Sequence, residues 1–458
     1  MDWLLETPDA FAQHLESLGT RRACFVFGAT PRASHPSLEP MLEAMVATLG
    51  AGGHEAVFLE VGERTGALFG AFVHRTRRGQ AAGGLRHWSY GSIRALLNDG
   101  LRLSKAMTRK NALAGLWWGG GKGIIAQQAG ERYRDADYRA QLYQEYGTFV
   151  TSLRGLYVTA EDVGTQPADI GNVFKTTRFV TCIPPSLGGS GNPSISTATG
   201  VICAMEAALA HQGLGDLNGK RVAVQGLGNV ASSLIEQLLR KGVAEIVAAD
   251  ISEPQVQAAR IRFAKHPVTI SAVLPSDTSI LAEPCDILAP SALGGVLNAI
   301  TIPQIRAKIV CGAANNQLDD EERDAQALAD RGIVYIPDFV ANRMGIVRCA
   351  NEQYGTLPDD PAIRRHFDRT WENSVYLITE QVLNFARERG LTTSAAANQV
   401  ADEMSEELHP IWEHRGKLTL ESLLDELWHL EGAIPDPRAS GPVPTLKSPF
   451  LEIIEPSG

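Results

Sequence analysis

No Cys-x-x-Cys pair occurs among the six cysteines, and no His-x-x-x-His spacing among the eleven histidines. The usual ligand patterns of a zinc site are therefore missing, and no metal is expected. Cys24, Cys182, Cys203, Cys285, Cys311 and Cys349 are scattered and read as buried free thiols in a reducing, cytoplasmic setting rather than as disulfides. A basic cluster is also missing: 42 Lys and Arg against 52 Asp and Glu leave a net charge of −10. Such a chain is not built to hold nucleic-acid phosphates. No apolar run approaches a membrane span, and the opening Met-Asp-Trp-Leu-Leu-Glu carries acid where a secretion signal carries base. What is present is a chain of 458 residues, 44% of them hydrophobic. That exceeds what one core accommodates, so two domains plus a terminal extension are expected.

One stretch concentrates chemistry. Lys110 and Lys122 stand in the run Met107 to Gly123, the second directly after Gly119, Gly120 and Gly121. Glycines lack a Cβ, so a ligand can come close and an ammonium can be held in a confined place. A desolvated lysine near a second positive charge has its pKa pulled toward neutrality, as a general base requires. The competing reading is a flexible surface loop with a solvated lysine, and the glycines alone leave the two readings even.

A second stretch has the pattern of a dinucleotide site. The apolar run Val222 to Val224 reads as a buried strand, and Gly226-Leu-Gly228-Asn229-Val230-Ala231 follows it. A helix comes next, with Val230, Leu234, Ile235, Leu238 and Leu239 on one face and Gly242 after its end. Glu245 to Ala249 reads as a second strand closing at Asp250. Strand, glycine turn, helix and acidic strand end together make the full fingerprint, in which each part has a physical role. Gly226 permits the turn, Gly228 admits the pyrophosphate, and Ala231 lets helix and strand pack. Asn229 and Val230 open the helix whose N-terminus faces the phosphates. Asp250 accepts from the adenosine ribose and repels a 2′-phosphate, so NAD is expected over NADP.

Four further runs, Val268–Ser271, Asp286–Ala289, Ile309–Cys311 and Ile333–Ile336, bring the strands between about 220 and 337 to six. That pattern describes a doubly wound parallel sheet, which binds ligands at the carboxyl ends of its strands. Asn315 and Asn316 fall at such an end and suit the nicotinamide side of a cofactor or a substrate amine, or serve only as turn residues. The first domain also reads as α/β. Glu55–Leu59 and Ala67–His74 are strands, and a helix from Ile93 to Ala106 runs into Lys110.

Five motifs in order resemble the glutamate/leucine/phenylalanine/valine dehydrogenases across roughly residues 54 to 390. They are the lysines around the triple glycine, Thr159-Ala-Glu-Asp162-Val-Gly-Thr165, Ser190-Gly-Asn-Pro-Ser194, the Gly226 to Ala231 turn, and Ala313-Ala-Asn-Asn-Gln-Leu318. The resemblance implies an NAD-dependent enzyme that converts an L-amino acid reversibly to the 2-oxo acid and ammonia. It implies that Lys110 binds the substrate α-carboxylate, that Lys122 is the catalytic lysine, and that Asp162 exchanges protons with the substrate amine and water. It places Gly83 and Gly84 beside the substrate and Thr197 near the nicotinamide.

In the glutamate enzymes of that family a lysine precedes the paired glycines, and this chain has Ala82 there. A second pocket position aligns with Cys349 and its neighbour one turn earlier with Ile346. Such a lining leaves a γ-carboxylate unpaired, so an apolar amino acid is expected. The alternatives are a glutamate dehydrogenase and a catalytically silent regulatory subunit of the same fold. A hydroxy-acid dehydrogenase would lack its histidine-centred catalytic group. Where the family has Asn-Ala-Gly-Gly, this chain has Asn342-Arg343-Met344-Gly345, a departure at the return to the first domain.

The expected organisation is a substrate and oligomerisation domain over 1–193 and an NAD-binding Rossmann domain over 194–345. Residues 346–432 are expected to form C-terminal helices, amphipathic over 361–388 and 395–430, which return to the first domain. A Pro-rich tail, extended or disordered, covers 433–458. A homo-oligomer built through the first domain is implied.

Overall fold

The computed structural model describes residues 3–432 apart from Ala29, Ala129 and Glu131, so the Pro-rich tail lies outside the described residues. Two sheets organise the chain. The first contains β1 (Arg22–Val26), β2 (Arg32–Ala33), β3 (Ala56–Val61), β4 (Leu68–Arg75), β5 (Ala81–Trp88), β6 (Gly119–Ala126) and β7 (Tyr157–Glu161). Its order is β2-β1-β3-β4-β6-β5-β7. Pairing is antiparallel from β2 to β6 and parallel among β6, β5 and β7.

The second sheet contains β8 (Arg221–Gln225), β9 (Glu245–Asp250), β10 (Val268–Ala272), β11 (Ile287–Pro290), β12 (Ile309–Val310) and β13 (Val334–Tyr335). It is wholly parallel in the order β10-β9-β8-β11-β12-β13. The six strands expected from the apolar runs are all present. The order reverses between β8 and β11, which opens a crevice at their carboxyl ends. Val222, Ala223 and Val224 are fully buried, as a strand covered on both faces requires.

The helix Ile93–Leu113 is longer than the sequence reading, which ended it at Ala106. Its buried face continues through Thr108, Asn111, Ala112 and Leu113, and Gly115, with φ +66, follows its end. Lys110 is therefore held in a last helical turn rather than on the loop beyond it. The triple glycine is likewise no loop: β6 is buried along its whole length. A Cβ on Gly119 would strike the Arg75 carbonyl, on Gly120 the Thr108 backbone, and on Gly121 the Tyr157 ring. These glycines make room for neighbouring protein, and the reading in which they admit a ligand is corrected. Helix and strand can thus pack in contact, which brings the lysines on each of them to the same side of the sheet.

Gly120→Ala is accordingly expected to destabilise the fold by roughly 1–3 kcal/mol, as overpacking against backbone does. A thermal melt of the purified variant checks it; a Tm equal to that of the parent would show that β6 and the helix can separate at no cost.

Beyond residue 346 the two long helices expected are four shorter ones, Pro361–Arg364, Val375–Arg389, Thr393–Ser405 and Arg415–Asp425. Local polar groups cut them. Asp368 accepts from the backbone of Thr370 and Trp371, Ser374 caps the next helix, and Gly390 ends it at φ +64. The helices also divide their packing. Val375, Leu383, Ala397 and Val400 join the core around β8, whereas Leu420, Leu423 and Trp428 join the core of the first sheet. Among the described residues no helix is long and apolar enough to cross a membrane.

Candidate active site

The carboxyl ends of β5, β7 and the second sheet face a cleft of about 1290 Å³. Lys122 lies in the middle of β6, opposite Phe72 of β4, and is 3% exposed. Its Nζ donates to Asp162 Oδ2 at 2.5 Å. Asp162 directly follows β7 in a turn closed by Thr165, whose hydroxyl accepts from the Asp162 N–H and donates to its carbonyl.

Arg86 completes the pair. Its Nε donates to the same Asp162 oxygen at 3.2 Å, and its Nη1 donates to both oxygens of Asp99. Tyr90 donates to Asp99 in turn. Sequence reasoning missed Arg86, although β5 alternates its faces and so puts Arg86 on the side of Gly84. Burial pushes the Lys122 ammonium below the usual lysine range, an effect that Asp162 partly offsets. Burial also acts to raise Asp162, but Lys122 and Arg86 outweigh it and hold the carboxyl below its usual range. The pair therefore rests as a carboxylate beside an ammonium that releases its proton more readily than it would in water.

Lys110 lines the same cleft. Burial lowers its pKa, opposed by the charges of Asp338 and Asp162 and reinforced by that of Lys122. Unlike Lys122 it makes no ion pair or hydrogen bond within the described chain, so it presents an uncommitted cation to whatever enters. Asp338, at the end of β13, was passed over as a site residue in the sequence. Burial raises its pKa against the Asn316 N–H, which donates at 2.9 Å, and against Lys110.

Gly84 lines the cleft, and a Cβ there would meet Asp162. Gly83 lies beneath the surface, its carbonyl accepting from the Tyr157 hydroxyl at 2.6 Å. Ala82 is also beneath it, in an apolar cluster with Trp118, Val158, Ile346, Cys349 and Ala350. The three pocket residues expected from the sequence are thus brought together, Ile346 and Cys349 at the cleft surface.

The expectation of six free thiols fails at two positions. Cys182 and Cys349 form a disulfide across 167 residues of sequence; Cys24, Cys203, Cys285 and Cys311 are free. Sequence spacing carries no information about partners so distant, and only the packing of the 179–183 segment beside the helix Met344–Asn351 joins them.

The dinucleotide fingerprint has its physical form. Gly226 adopts φ +95, and the missing Cβ of Gly228 faces open space, as a cradle for a pyrophosphate needs. Asn229 and Val230 begin the helix Asn229–Arg240, Ala231 is buried beneath it, and Asn229 reaches the cleft. The Asp250 oxygens accept from the backbone of Leu227 at 2.6 Å and Ser252 at 2.7 Å. They fix the turn and keep lone pairs for a ribose. Asn315 and Asn316 line the cleft while also serving the turn: Asn315 accepts from Asn342, and Asn316 takes φ +50. Thr197 sits one layer back, beside Gly345 of the cleft wall.

Arg343, the departure noted in the sequence, is fully buried. Its guanidinium donates to the carbonyls of Leu113 and Asn373, and burial pushes its pKa down to about 9. It ties the end of the lysine-bearing helix to the start of the C-terminal helices.

Comparison with known proteins bears on this arrangement. Residues 63–179 match the family profile described as Glu/Leu/Phe/Val dehydrogenase, dimerisation domain. Residues 188–256 and 251–409 match that of the glutamate/leucine/phenylalanine/valine dehydrogenases. A leucine dehydrogenase of Bacillus cereus is 41% identical over 332 residues, 72% of this chain and 85% of that one. A valine dehydrogenase of Streptomyces coelicolor is 39% identical over 364 residues, covering 78% and 94%. Among solved structures, L-tryptophan dehydrogenase from Nostoc punctiforme superposes with a TM-score of 0.66 at 33% identity, covering 79% and 98%.

Proposed function

Because the chain belongs to the glutamate/leucine/phenylalanine/valine dehydrogenase family, we propose that it catalyses the reversible oxidative deamination of an apolar L-amino acid of the leucine, valine or phenylalanine type, giving the 2-oxo acid and ammonia. The observation that carries the reading is the meeting, in one cleft, of the Lys122–Asp162 pair with a wall of Ile346 and Cys349, backed by Ala82, that holds no charge.

Lys110, the uncommitted cation, anchors the substrate α-carboxylate. A nicotinamide bound in this cleft would supply the acceptor for the hydride lost from Cα. Lys122 Nζ then takes a proton from the water that attacks the imine carbon, and Asp162 passes protons to the departing nitrogen. Gly226, Gly228 and the N–H groups of Asn229 and Val230 suit a pyrophosphate, and Asp250 favours NAD over NADP by repelling a 2′-phosphate. Asn315, Asn316 and Thr197 are assigned to the nicotinamide side. Residues 1–193 form the substrate and oligomerisation unit of a cytoplasmic homo-oligomer, 194–345 the cofactor unit, and 346–432 the helices that complete the cleft. A screen of amino acids against NAD and NADP, followed by the absorbance of the reduced nicotinamide, tests the reading.

A pH dependence follows. The base form of Lys122 grows as pH rises through its pKa, which lies below the usual lysine range. The rate of deamination should therefore climb with pH and level off before that range is reached. In Asp162→Asn the charge that holds the proton on Lys122 is gone, so the residual rate should level off at lower pH. A limb that moves upward in pH would remove Lys122 as the titrating base.

A further inference from the structure

We propose that Cys182–Cys349 is a thiol–disulfide exchange site built into the wall of the substrate pocket, reacting with a small thiol that enters the cleft. The consequence for substrate binding rests on the functional reading above; the exchange itself does not.

Both residues line the cleft, and Cys349 belongs to the apolar cluster that forms the side-chain wall. They are unequal partners. Cys349 is 5% exposed, whereas Cys182 is partly exposed, so an incoming thiolate reaches the Cys182 sulfur. That attack forms a sulfur–sulfur bond between the small thiol and Cys182 and breaks the bond to Cys349, which leaves as a thiolate and takes up a proton. A second small thiol attacks the adduct, releases Cys182 as a thiol and departs as the small disulfide. Two electrons pass from the small thiols to the protein pair.

The surroundings confine the effect to the wall. The 179–181 segment is held to β7 by backbone bonds from Thr159 to Phe179 and from Thr181 to Thr159. Thr181 also donates to the Cys349 carbonyl. Glu352, just past the helix of Cys349, accepts from the Ile183 N–H at 3.2 Å and from Ser190 N–H and hydroxyl at 2.7 and 2.8 Å. These bonds remain when the disulfide opens, so helix and segment stay together. The sulfurs, no longer bonded, must separate, and the Cys182 side chain turns toward the cleft. A pocket in which one methylene matters about tenfold or more will register that change, and a mixed disulfide at Cys182 will fill it.

The test uses the full-length protein prepared in air. Alkylation after denaturation, read by mass, should count four thiols before reduction and six after. Partial reduction with glutathione should leave an adduct that peptide mapping finds on Cys182. Six thiols in the unreduced protein, or no adduct at Cys182, overturns the proposal whether or not any amino acid is oxidised. For an accepted amino acid, reduction should raise KM about fivefold or more, with the KM for NAD changed less than about twofold. Cys182→Ser should give the raised KM with and without reductant. An amino-acid KM that ignores reduction, in protein with four thiols before and six after, overturns the role in the pocket.

Discussion

Lys122→Ala should lower kcat for amino-acid oxidation by roughly 100- to 10,000-fold, the range that a positioned general base contributes. NAD affinity should remain nearly unchanged, because the glycine turn proposed to cradle the dinucleotide lies on the other sheet. The size of the loss follows from the geometry. Nζ is the group in contact with Asp162 Oδ2, and no second lysine can take its place, since Lys110 sits on the helix packed over β6 and, in the proposed mechanism, is occupied by the substrate carboxylate. Collapse of the fold is not the expected cause, because Arg86 still pairs with Asp162 after the substitution. Steady-state kinetics with a separate NAD titration checks this, together with a melt to confirm folding. Near-full turnover in the variant would remove Lys122 from the mechanism.

The second large effect is on substrate choice. L-leucine, L-valine or L-phenylalanine should exceed L-glutamate in kcat/KM by roughly 100-fold or more. A γ-carboxylate pressed against Ile346 and the Cys182–Cys349 disulfide, with Ala82 behind them, finds no partner in the apolar wall, and burial of an unpaired charge costs several kcal/mol. Each 1.36 kcal/mol is about tenfold in rate. The same arithmetic sets a limit among the apolar substrates, since one methylene is worth only about 1–3 kcal/mol. Preference among those substrates is therefore a matter of pocket shape, while rejection of glutamate is a matter of charge. Equal or better rates with glutamate would overturn the pocket argument.

How much of the site was legible before folding differs from residue to residue. The fingerprint from Val222 to Asp250 could be read because it is local: turn, helix N-terminus and strand end follow one another along the chain, and each demands a particular residue type. Lys122 stood out beside its glycines, with a flexible loop as the even alternative, whereas Asp162 could be singled out only through the order of the family-like motifs, since an isolated aspartate after a strand is more often a capping residue. Arg86 and Asp338 went unassigned. Arg86 pairs with Asp162 and Asp99, and Asp338 interacts with Lys110 from the other sheet, so the contacts that place both in the site join distant parts of the chain.

The sequence by itself determined the doubly wound sheet, the nucleotide turn and the absence of a charged residue at position 82, because strand burial, glycine conformation and residue charge are properties of short segments. Only the tertiary structure decided that the triple glycine is a packed strand rather than a flexible loop, since the reason is steric and lies in Arg75, Thr108 and Tyr157. It alone decided that two of six scattered cysteines meet. The physical reason is common to both: contacts between residues far apart in the chain are set by how helices and sheets pack, and no local spacing encodes them.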